Sequence, residues 1–132
     1  MSQSDIEVGR VLLYFERVIE EHNNTLDKLE NYAQIPEVDT EKIDVLIKRL
    51  RRTRKEILQG IETISNYVEN VKDTKLKEEA LGLINYFYVV GLEDEENVLR
   101  TLKERSASTD QNIDKDIETI SKIRGLILKF IY

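Results

Sequence analysis

"IPEVDT", residues 35–40, separates two long runs of heptad-spaced apolar residues, and its reading decides the fold. Pro36 pushes Ile35 out of the helical region and so ends whatever helix precedes it. Asp39 or Thr40 can then cap the next helix. Two long amphipathic helices joined by so short a connection fold back on each other as an antiparallel hairpin.

Upstream of the break the seam reads Val8, Val11, Phe15, Val18, His22, Thr25, Leu29 and Tyr32. Its steps alternate three and four, which is a heptad and predicts a helix over about 4–33. Ser4 with Glu7 three residues on supplies a capping-box start. Leu12, Ile19, Leu26 and Ala33 widen the stripe, so this helix has more than one partner. Downstream the seam is Ile43, Ile47, Leu50, Arg54, Ile57, Ile61, Ile64, Val68 and Val71, which predicts a helix over about 40–71.

Folding the two seams together sets Tyr32 opposite Ile43, Thr25 opposite Leu50, His22 opposite Arg54 and Phe15 opposite Ile61, with no slip. In this register two wholly non-apolar stretches lie side by side, "EEHNNT" at 20–25 and "RRTRKE" at 51–56. The hairpin therefore has apolar ends and a polar waist, with His22, Thr25 and Arg54 as its polar layer. Residues 1–39 carry three bases and nine acids, whereas residues 40–72 carry eight bases and five acids. Glu16, Glu20, Glu21 and Asp27 are thus expected to approach Lys48, Arg49, Arg51, Arg52 and Lys55, as flanking charges do in coiled coils. An Arg on the seam needs an acceptor, either Glu21 or an acid from a later helix, because burying it unpaired is costly.

The rest of the chain is less regular. Asp73 or Thr74 caps a third helix to about Val90, with Gly91 as its stop. "EDEENVLRTLKER" is a short fourth helix, acids first and bases last as the helix dipole prefers. A polar loop, "SASTDQN", leads to a fifth helix from about Asp110, with Ile113, Ile117, Ile120, Ile123, Ile127 and Ile131 apolar. No strand-like alternation persists. The expected architecture is all-α: one domain over 1–132, an elongated bundle built on the hairpin and completed by three shorter helices.

Composition narrows the function classes. The chain has 132 residues, one Pro, five Gly and a net charge of −6, and it has no Cys, which rules out disulfides and thiolate metal sites. The N-terminus lacks a signal-peptide organisation, and no apolar run approaches the roughly 20 residues that span a bilayer. The expectation is a cytoplasmic protein, or one made in a host's cytoplasm, with no membrane contact. Neither a phosphate-cradling glycine loop nor a zinc-protease helix is present. His22 is the only histidine, and Ile19 stands where a Glu-x-x-His pair would need its Glu. No catalytic residue, metal ligand or cofactor site is therefore assigned.

Two leading readings of function remain, ahead of a third in which the polar waist is an enzyme's pocket. In the first, the chain is a non-enzymatic interaction or assembly subunit that presents helical faces to a protein partner or to itself. Tyr86 in "INYFYVV" and Leu128, Phe130, Ile131 and Tyr132 at the greasy C-terminus are the candidate interface residues. In the second, "KRLRRTRK" at 48–55 looks outward, and Lys48, Arg51, Arg52 and Lys55 touch nucleic-acid backbone. Against that stand a sequence pI of about 5.0 and a strip without interleaved aromatics.

Overall fold

The computed structural model describes residues 2–131. Its helices are α1 (Gln3–Gln34), α2 (Thr40–Tyr67), α3 (Thr74–Tyr86), α4 (Leu92–Glu104) and α5 (Ile113–Ile131). A 3₁₀ turn (Val68–Asn70) closes α2, and a π turn (Phe87–Gly91) joins α3 to α4. The all-α bundle expected from the seams is what the chain forms, and no strand occurs among the described residues.

The hairpin is antiparallel about Pro36, and α1 is about 48 Å long at 1.5 Å per residue. Asp39 caps α2 by accepting from the Lys42 amide. At the other end Ser2, rather than Ser4, caps α1 by accepting from the Asp5 amide. All nine residues of the α2 seam are buried, as are the α1 seam residues from Val8 to Leu29. Phe15 fixes the register: an added Cβ on Gly60 would lie 2.2 Å from its Cζ, so the ring fits only because Gly60 has no side chain. The Tyr14 hydroxyl donates to the Glu56 carbonyl at 2.8 Å, a second tie at the same height. Asp5 closes the open end, accepting from the Lys72 amide just before α3.

Gly91 does not stop a helix. Its φ and ψ of −61° and −52° are helical, and the Leu92 amide reaches back five residues to the Phe87 carbonyl. Residues 74–104 therefore run as one helical rod with a π turn inside it. The glycine serves close packing instead, because a Cβ there would meet Phe87 Cδ1 at 3.0 Å. Phe87 is fully buried and packs edge-on against Phe15, with ring centroids 5.3 Å apart.

The rod ends in a Schellman arrangement, with Ala107 N–H on Leu102 C=O and Ser106 N–H on Lys103 C=O. Ser106, at φ 51°, takes the left-handed position that usually falls to glycine. Beside it, the Arg105 guanidinium donates to the carbonyls of Tyr32, Ala33 and Ile35, which α1 leaves unpaired at its C-terminus. No described helix is long and apolar enough to cross a membrane.

Candidate functional site

The waist of the hairpin holds two polar sites that share the segment 48–56. One is closed and threads the core. The other is open and lies on the outer face of α1 and α2.

The closed site begins at His22, which is 1% exposed. Its Nε2 is 2.8 Å from Glu95 Oε1, and since a carboxylate only accepts, Nε2 carries the proton and donates. Glu95 is fully buried on α4. Its other oxygen accepts from Arg54 Nε at 2.7 Å, and Arg54 Nη2 lies 2.6 Å from the same atom. Arg54 Nη1 donates to Asp116 Oδ1 on α5 at 3.0 Å. Arg51 then grips Asp116 from Nε and Nη2, and forks onto both oxygens of Asp110 at 2.7 and 2.8 Å. The result is an unbroken ladder, His22–Glu95–Arg54–Asp116–Arg51–Asp110, crossing the bundle from α1 to the loop before α5.

Local structure explains how each rung is placed. Asp44 accepts from the hydroxyls of Ser108 and Thr109 and so pins the loop to α2. Asp110 accepts from the Asn112 amide in an Asx turn, which aims its carboxylate at Arg51. Asn112 C=O accepts from the Asp116 amide and starts α5 with Asp116 facing inward. On α4 the π turn sets the phase that turns Glu95 toward His22 and Arg54. Hydrogen bonds from Arg51 and the Asn112 amide hold Asp110 below its ordinary carboxyl range, and the two carboxylates hold the Arg51 charge more firmly than usual.

The polar layer of His22, Thr25 and Arg54 is therefore buried, as its place on the seams requires. The partners differ from those expected. Among the described residues no α1 acid pairs with a base of the strip 48–55. The ion pair recorded between the two arms runs the other way, from Arg17 on α1 to Glu56 on α2 at 3.6 Å. The reason is geometric: Arg54 lies on the seam and Arg51 on the α5 flank, so both guanidiniums point away from the outer face of α1. Arg51 is thereby corrected from an outward contact to an internal one.

Glu95 and Asp116 escaped the sequence reading. Glu95 looks like one of several acids in a helix's first turn, and the apolar pattern of the fifth helix takes in Ile117 and passes over Asp116. The signal was present in the spacing. Leu92, Glu95, Leu99 and Leu102 keep the three–four step, as do Ile113, Asp116, Ile120 and Ile123. Each seam carries one polar residue where an aliphatic is due.

The open site is a groove of about 480 Å³ lined by Arg17, Glu21, Asn24, Thr25, Lys28, Arg49, Arg52, Thr53 and Glu56. It exists because the seam is short here. Thr25 on the α1 seam and Thr53 beside the α2 seam are both short, and their hydroxyls donate to their own helices at the Glu21 and Arg49 carbonyls. Arg17 is held by Glu21 at 3.0 Å and by Glu56. Lys48, Arg52 and Lys55 share the outward ridge of α2, and all three are exposed.

The candidate interface residues are scattered in environment. Leu128 is 41% exposed, whereas Phe130 and Ile131 pack partly against the core. Tyr86, expected to be an exposed ring, is half-buried: its hydroxyl donates to Asn23 Oδ1 at 3.3 Å and its ring packs edge-on against Phe87. Tyr132 lies outside the described residues. Among the described residues no group of His, Asp or Glu side chains is arranged to hold a metal ion.

Fold and site together define a helical bundle with a charged core layer. Compared with protein-family models, curated proteins and solved structures, the chain has no match.

Proposed function

We propose that this chain is a non-enzymatic helical interaction or assembly subunit that presents its outer faces to a protein partner or to a second copy of itself. The observation that carries this reading is the fate of the polar side chains. The one histidine and three of the core-facing acids, the groups an acid–base enzyme would deploy, are spent on holding helices together. Open surface is left mainly to helix faces, and some of it is apolar. Arg124 lies over the Tyr88 ring, 4.9 Å from its centroid, which brings the C-terminal half of α5 alongside the π turn. Within four positions of those two residues in the chain, Val89 and Val90 on the turn and Leu126 and Leu128 on α5 are exposed.

Sedimentation of the purified chain over a wide concentration range tests the self-assembly form. Reversible association, weakened in a Leu126→Glu/Leu128→Glu double variant, is the expected outcome. A chain that stays monomeric throughout would sink it.

A second reading has one observation in its favour, the exposed ridge of Lys48, Arg52 and Lys55. Such a ridge can follow a phosphate backbone, with an affinity that falls steeply as salt rises. Arg51 no longer belongs to it. A mobility shift with duplex DNA or RNA at low salt tests this reading, and retention of the shift in Lys48→Glu/Lys55→Glu would remove it.

A further inference from the structure

We infer that the open groove at the waist is a binding site for a polyphosphate anion, a di- or triphosphate group seated between α1 and α2. This goes beyond both functional readings, since it concerns the concave pocket between α1 and α2, which shares only Arg52 with the outer ridge.

Four cationic side chains converge on the groove: Arg17 and Lys28 from α1, Arg49 and Arg52 from α2. Arg17 is engaged by Glu21 and Glu56. Among the described residues Lys28, Arg49 and Arg52 carry no carboxylate partner. The lining thus holds two positive charges in excess on a chain whose net charge is −6. Unpaired bases gathered in one hollow repel each other locally, and a bound anion relieves that repulsion.

The geometry favours phosphate groups over a single carboxylate. Guanidinium forks match phosphate oxygens two at a time, and Arg49 and Arg52 are three positions apart on one helix, so they flank a common point. The volume of about 480 Å³ falls within the roughly 300–1,000 Å³ typical of small-molecule sites. That leaves room for two or three linked phosphates. Asn24 adds an amide donor on the α1 wall. The floor is shaped by Thr25 and Thr53, both buried, whose hydroxyl protons are already committed to backbone carbonyls. They provide depth, and the long cationic side chains at the rim provide charge.

The test uses the full chain and inorganic tripolyphosphate at low salt, about 0.02 M, where surface charges are weakly screened. Calorimetry is expected to show one tripolyphosphate bound per chain. Arg49→Glu/Arg52→Glu should weaken binding at least tenfold more than Lys48→Glu/Lys55→Glu, which makes the same change of charge on the outer ridge. All four side chains are exposed, so circular dichroism should show both variants folded. No binding at low salt overturns the inference. Equal loss in both double variants also overturns it, because that is what diffuse attraction without a site produces. A duplex oligonucleotide is the second arm. If it binds, displaces tripolyphosphate and is lost only in the Lys48/Lys55 variant, the phosphate contact belongs to the ridge and the groove proposal falls.

Discussion

At the scale of single residues the decisive side chain is Arg54. It is 5% exposed and stands between Glu95 and Asp116. Removing one member of a buried ion network leaves charges without partners, which costs about 3–5 kcal/mol, although replacing a whole network with apolar groups can be neutral. Arg54→Met should therefore lower the unfolding free energy by that amount in urea titrations. Arg52→Ala, two positions away and exposed, should stay within about 0.5 kcal/mol of the parent. Titration belongs to this scale too. The Lys72 amide and the Ser2 hydroxyl lower the Asp5 carboxyl from its ordinary 3.8, and Arg51 and the Asn112 amide do the same for Asp110. With folded values below unfolded ones, the contribution is fully present above the unfolded value and is lost as pH falls toward the folded ones. Through these two carboxyls the urea midpoint should fall below about pH 4. Asp110→Asn should flatten that fall.

At the scale of elements the hairpin is set by one glycine. An Ala at Gly60 would push its Cβ into the Phe15 ring, itself wedged against Phe87. Gly60→Ala should cost about 1–3 kcal/mol, as core overpacking does. Gly82 in α3 has nothing within 4 Å of an added Cβ, so Gly82→Ala should stabilise by about 0.5–1 kcal/mol through helix propensity. Thermal melts of the two variants, shifting in opposite directions, check both. The contrast shows what a sequence makes readable. The seams of α1 and α2 and the caps at Asp39 and Asp73 were legible because they depend on neighbours within one or two turns. The π turn was not, since a one-residue change of phase has no compositional signature and Gly91 resembles a stop. The partners of Arg51 and Arg54 were not legible either. Acids on the facing arm and acids 41 to 65 positions downstream satisfy the same charge rule, and only the packed orientation of each flank chooses between them.

At the scale of the whole molecule the charge distribution separates two roles. Acids and bases that meet across the core fix which helices pair and at what height, a task for which buried polar groups are suited even when they add little net stability. Bases on the hairpin's outer face take no part in that pairing. Every element that touches the ladder is tied to it near its midpoint or its start: α1 at His22, α2 at Arg51 and Arg54, α4 at Glu95, α5 at Asp116. None of these four helices can lift away singly without stranding a partner's charge in a dry interior. Local opening of α5 should thus be suppressed around Asp116. In native-state amide deuterium exchange the protons flanking these four attachment points should exchange only through global unfolding, with one shared free energy.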